Sequence, residues 1–182
     1  MHASRRWLLA VVAAAAVLRL FPIWFGLPHL YARPDEEVAV RKALGVLLRG
    51  ELNPQFFHWP SLTFYLFAAL FGAARIMRRI AGLDPALTGG QHLLLARACV
   101  ACAGTATVYV LFTIGKRIGG EMTGLIAALF LAVAVLHVRD SHFAMTDVLM
   151  TLLVTICLGL VLRAIDAGEL RLRWFARAGA AG

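Results

Sequence analysis

Residues 7–27, WLLAVVAAAAVLRLFPIWFGL, decide which solvent this chain is built for. At 1.5 Å per residue such a run crosses about 30 Å of hydrocarbon. It opens just behind Arg5 and Arg6, which hold the N-terminus in the cytoplasm. A cleaved signal peptide shares the basic start and a short apolar core, but Arg19 and hydrophobicity continuing to Leu27 argue for a retained span. The whole chain agrees: 61% hydrophobic residues, 15% charged residues and a mean hydropathy of +0.79 group it with polytopic membrane proteins. Further apolar helices are expected at 61–80, 91–115, 122–138 and 143–164, with no tandem repeat or low-complexity linker between them. The expectation is one all-α domain over residues 1–182, a polytopic membrane protein with about four transmembrane helices. Interfacial or juxtamembrane helices are expected in its first outer loop, residues 28–60.

The net charge of +8 does not mark a nucleic-acid binder, because the basic residues cluster beside apolar segments, where anionic headgroups and orientation account for them. Cys99, Cys102 and Cys157 all lie inside apolar runs, so they fit neither a disulfide framework nor an exposed metal knuckle. The CxxC of Cys99 and Cys102 reads as small packing residues within a helix.

Basic residues also fix the direction of the spans. Lys116 and Arg117 sit in one tight turn, and Arg163, Arg171, Arg173 and Arg177 follow the last span; both groups favour the cytoplasm. They reach it together only if residues 61–80 begin and end on the outer side, as a juxtamembrane or re-entrant helix. Arg75, Arg78 and Arg79 then lie among outer headgroups, against the charge rule. Two acidic patches far apart in sequence, at 35–37 and 139–147, consequently emerge on the same outer face.

The first patch opens a helix. Pro34 suits a first turn, where its missing N–H costs nothing, and Asp35, Glu36 and Glu37 complement the positive end of the helix dipole. Val40, Ala43, Leu44, Leu47 and Leu48 follow at helical spacing, with Arg41, Lys42, Gly45 and Arg49 opposite, and Gly50 closes an amphipathic interfacial helix at 35–49. These acids alone can be helix caps worth a few tenths to about 1 kcal/mol each.

The second patch is RDSHFAMTD, residues 139–147. On a continuous helix Asp140 and Asp147 are about 10.5 Å apart along the axis, too far to share one ion unless the helix breaks near Ser141. Asp140 is expected to pair with Arg139 or to cap the helix. Asp147 stands at the entrance of the apolar run VLMTLLVTICLGLVL, a costly place for a carboxylate and so a mark of a pathway or a site. His142, one turn away, can bind a phosphate oxygen or a metal, or be a plain interfacial histidine; no HExxH spacing is present. Between the patches, NPQFFHWPSLTFYL at 53–66 reads as an aromatic interfacial belt around His58.

This combination resembles the integral-membrane glycosyltransferases of the GT-C fold, in the dolichyl-phosphate-mannose protein mannosyltransferase and aminoarabinose transferase group (glycosyltransferase family 39-like). The resemblance is carried by RPDEE at 33–37, the aromatic segment at 53–66, IGKRIGG at 114–120 and VRDSHFAMTDVLM at 138–150, in that family's order. It implies a polyprenyl-phosphate-linked sugar as donor and a lipid, glycan or protein hydroxyl as acceptor, joined with inversion on the extracytoplasmic face of the cell membrane. Asp35 would be the general base, with Glu36 beside it and Asp147 as the second acid. His58, Arg139 and His142 are the local candidates for the donor phosphate. A divalent metal is left open, since some relatives use one and others none. The family's chains are longer, so the resemblance also implies that these residues form an N-terminal portion. The competing classes are a transporter fragment relaying protons or cations through Asp35 and Asp147, and a membrane subunit whose acids only cap helices.

Overall fold

The computed structural model describes residues 2–27, 34–166 and 177–180. Arg33, Arg171 and Arg173 lie outside the described residues. The helices follow in the order α1 (His2–Leu20), α2 (Pro34–Arg49), α3 (Leu62–Ile80), α4 (Gly89–Val133), α5 (Val135–Asp140) and α6 (Asp147–Asp166) among the described residues. No strand occurs among the described residues, and α4 and α6 are long and apolar enough to cross a bilayer. The protein is an all-α membrane protein.

α1 stops at Leu20, short of the Leu27 expected from the apolar run. Pro22 is the reason: it has no N–H for the helix ladder, and its ring would meet the carbonyl four residues back. Residues 21–27 instead form successive turns, with Phe25 N–H on Pro22 O and Leu27 N–H on Trp24 O. α2 begins at Pro34 with its three acids in the first turn and ends at Gly50, whose φ of +67° suits glycine. Its buried line runs through Glu36, Ala39 and Ala43, and the two alanines let it lie against Phe64, Phe67 and Phe71 of α3. Two expectations for this helix are corrected: Leu48 is exposed, and Gly45, expected on the polar face, is buried.

Thr88 and Gln91 open α4 with a reciprocal capping box. The helix breaks at Gly119 and Gly120, where Gly120 takes φ +84°, so IGKRIGG joins two antiparallel arms, residues 89–118 and 121–133. The second arm ends at Val133 rather than at 138, because Ala134 is extended and α5 starts anew. α6 begins at Asp147, four residues later than expected: α5 closes on itself through Ser141 Oγ–H and N–H, both donated to His137 O, and a turn fills 141–146.

The bundle therefore has two chemically distinct ends. At one, Ser4 hydrogen-bonds Glu121, which Lys116 also reaches at 3.3 Å. Arg117 and Arg163 line one groove there, between α4 and α6. At the other end lie the N-termini of α2 and α6 and the turn 141–146. α3 joins the fold at this second end, through Thr63 Oγ to Thr146 Oγ at 3.1 Å and Phe71 against His92 at 4.8 Å between ring centres.

Candidate active site

The second end is organised by one buried ion pair. Arg97 and Glu36, 2% and 1% exposed, form a two-pronged bridge: Nε to Oε1 at 2.8 Å and Nη2 to Oε2 at 2.7 Å. Arg97 Nη1 donates to the carbonyls of Ile23 and Phe25, both at 2.8 Å, and its guanidinium lies 4.2 Å from the centre of the Phe25 ring. Glu36 Oε1 also accepts the Ala144 N–H at 2.7 Å. Four segments distant in sequence are thereby tied at one point: the turns after α1, the first turn of α2, the first arm of α4 and the turn before α6. A buried pair this well matched in geometry repays much of its desolvation, and removing one member would strand the other.

The pair settles what the neighbouring acid can do. Successive residues on a helix point about 100° apart, and with Glu36 turned inward Asp35 is exposed, with no hydrogen-bond or ion-pair partner among the described residues. Glu36 is thus held in a structural bridge, whereas the Asp35 carboxylate, at the positive end of α2, is left unpaired among the described residues.

The segment 139–147 comes to the same junction. His142 Nε2–H donates to Leu18 O and Phe21 O at 2.9 and 3.1 Å, which fastens the turn to the end of α1. Arg139 pairs with Asp140, Nε and Nη2 reaching Oδ1 at 2.9 and 2.8 Å, as expected for that acid. Asp147 is exposed at the first position of α6 and lines a groove of about 290 Å³ together with Asp140 and His137. The helix break at Ser141 brings both aspartates to that groove; Asp35 is not among its lining residues. The two acidic segments meet directly through Glu36 and Ala144. His58 is exposed, its ring set edge-on to Phe56 at 5.3 Å; of the aromatics expected to wall it, Phe57 points away from the fold, and Trp59 packs on Phe56 and Phe64.

Two functional groups escape a reading of spacing. Arg19 is wholly buried and has no carboxylate partner among the described residues: it donates to the carbonyls of Ala15, Leu131 and Ala132, and its Nη2 lies 3.0 Å from His137 Nδ1. Because a guanidinium only donates, Nδ1 must accept, so the His137 proton resides on Nε2, a buried atom without a partner among the described residues. Gly104 makes room for this cluster, since a Cβ there would lie 2.4 Å from Ser141 Oγ and 3.1 Å from Arg19 Cδ. The available signal was an arginine inside each of two apolar helices, an expensive placement that marks a partnered site.

Glu36, Asp140 and Asp147 thus gather at one end of an all-α membrane protein. The model of the dolichyl-phosphate-mannose-protein mannosyltransferase family matches residues 80–182, more than half of the chain, and the chain belongs to that family. It is accordingly a membrane glycosyltransferase of the GT-C type. The matched residues include Arg97, Arg139, His142 and Asp147, and α2 with Asp35 and Glu36 precedes them. No curated protein and no solved structure matches the chain.

Proposed function

We propose that the chain forms the acceptor-activating part of an inverting glycosyltransferase that draws its sugar from a polyprenyl-phosphate donor on the outer face of the cell membrane. The observation that carries this reading is the contrast at the start of α2. Glu36 is consumed by Arg97 and Ala144, while Asp35, one residue earlier, keeps a carboxylate with no partner among the described residues, beside the same junction. The segregation of charge supports the sidedness. Arg5, Arg6, Lys116, Arg117 and Arg163 gather toward the end where Ser4 meets Glu121, which the charge rule assigns to the cytoplasm. Both Asp35 and Asp147 then face outward, where nucleotide sugars are not available and a lipid-linked donor is required. The chain spans the membrane several times, with its N-terminus inside.

In the proposed reaction Asp35 removes the proton of an acceptor hydroxyl as that oxygen attacks the anomeric carbon. The bond from this carbon to the phosphate oxygen breaks on the opposite side, its electron pair leaves with the lipid phosphate, and the configuration inverts. A phosphate departs without protonation, so one carboxylate suffices where glycosidases need two. Asp147 orients the acceptor from its groove. Arg139 spends Nε and Nη2 on Asp140 and has further N–H groups to offer the departing phosphate, and exposed His58 is the second candidate. His142 acts as a positioning residue, because its Nε2 proton is already given to α1. Among the described residues no three His, Cys, Asp or Glu side chains gather as metal ligands.

Replacing Asp35 tests the reading. In membranes containing the full-length protein, Asp35→Asn lowers transfer from a polyprenyl-phosphate-linked sugar by roughly 10²–10⁴-fold, the usual worth of a general base, without lowering the amount of folded protein. Turnover near the wild-type rate would remove Asp35 from the role.

A further inference from the structure

Arg75, Arg78 and Arg79 stand on α3, at the end of the bundle opposite the Ser4–Glu121 contact. Three cations there oppose the charge bias of membrane proteins, and their surroundings separate them. Arg78 Nε donates to Asp84 O at 2.7 Å and closes the turn after the helix. The guanidiniums of Arg75 and Arg79 make no hydrogen bond or ion pair among the described residues. Four residues apart, they share one side of α3 and line a groove of about 340 Å³ with Leu47, Leu48, Gly72 and Ile76. No carboxylate is among the described residues that line this groove. Its rim is apolar and uncovered, with Ile76 61% and Leu48 57% exposed.

We propose that this groove binds an anionic phospholipid of the surrounding bilayer, its phosphodiester held between Arg75 and Arg79 and an acyl chain lying along Leu47, Leu48 and Ile76. Paired guanidiniums match phosphate oxygens in geometry as well as charge, and arginine stems pass along apolar surface while their heads meet the headgroups. The absence of a lining carboxylate selects for a headgroup of net negative charge, because a zwitterionic one brings an ammonium that nothing here receives. The site is separate from the reaction centre. Arg75 and Arg79 lie roughly 20 Å along α3 from the Thr63–Thr146 contact that joins α3 to the turn before α6. A donor phosphate at the carboxylates cannot reach them, and an ordinary membrane lipid can.

Native mass spectrometry of the full chain in detergent micelles, with phosphatidylglycerol or phosphatidylcholine added, tests this. The wild type retains phosphatidylglycerol preferentially. R75Q/R79Q lowers that retention about tenfold and leaves phosphatidylcholine unchanged, while R78Q behaves as wild type. Undiminished retention of phosphatidylglycerol by the double variant would overturn the proposal. So would a double variant that loses bound polyprenyl phosphate but keeps phosphatidylglycerol, since the groove would then belong to the donor. Should R75Q/R79Q fail to fold, R75K/R79K carries the test: phosphatidylglycerol retention that weakens with added salt supports the site, and indifference to salt sinks it.

Discussion

Arg97 and Arg19 are both buried arginines at the same end of the bundle, yet they are neutralised in different ways. Arg97 has a full counter-charge in Glu36, and through it four segments of the chain are joined. Arg19 has none among the described residues; it donates to Leu131 and Ala132, two of the last carbonyls of the second arm of α4. Those carbonyls are among the groups a helix end leaves without intrahelical partners, and they carry the negative end of its dipole. The first cation is a junction between elements, the second a cap on one of them. The contrast teaches that an arginine in an apolar helix can be satisfied by a carboxylate or by oriented backbone, and that only the first arrangement makes the protein depend on a matched pair.

Breaking the pair is the severest test of this distinction. Glu36→Ala leaves Arg97 buried and uncompensated and the Ala144 N–H without its acceptor, and should cost about 3–5 kcal/mol of unfolding free energy. Steric-trap unfolding in bilayer discs would measure it; a loss below about 1 kcal/mol would show that the bridge is not what holds the junction. Arg19→Met strands no charge and leaves two carbonyls and His137 Nδ1 to find other donors, so the expected loss is smaller, about 1–2 kcal/mol. Should the two variants prove equally damaging, the distinction between junction and cap would fail. Gly104→Ala probes the packing around Arg19 without touching any charge. The added methyl meets Ser141 Oγ at 2.4 Å, and moving that hydroxyl disturbs its bond to His137 O, for about 1–3 kcal/mol. A double variant with Arg19→Met should then cost less than the sum of the two, because the methyl gains room once the guanidinium is gone.

Much of the fold was legible in the sequence, and the errors have physical causes. Pro34 and its three acids announced the start of α2, and IGKRIGG announced a turn, because each is a local signal complete within a few residues. The first span was carried seven residues too far because an apolar sum takes Phe21–Leu27 as more of the same, although Pro22 cannot continue a helix. Asp147 was correctly set at the mouth of an apolar run, and the break at Ser141 was the stated condition for bringing it near Asp140. Arg97 went unread for the opposite reason. One cation averages away in a hydrophobic window, and its partner stands 61 residues earlier, at a separation no spacing rule covers. His137 was equally invisible, since its role rests on which nitrogen Arg19 occupies.

The smallest effect on stability is expected where the largest effect on chemistry is. Asp35 touches no other described side chain, so Asp35→Asn forfeits only a favourable interaction with the α2 dipole, about 0.3–1 kcal/mol. Glu36→Gln, at the next position, keeps the shape but removes the charge that balances Arg97, and its damage should appear in unfolding before it appears in turnover. The two variants, measured side by side for unfolding free energy and for transfer from a polyprenyl-phosphate sugar, therefore separate the neighbouring carboxylates. Loss of transfer with stability kept at Asp35, and loss of stability at Glu36, is the pattern required of a base beside its anchor. If Glu36→Gln abolished transfer in a protein as stable as wild type, the roles would be reversed: the buried bridge would belong to the chemistry, and Asp35 would be a helix cap.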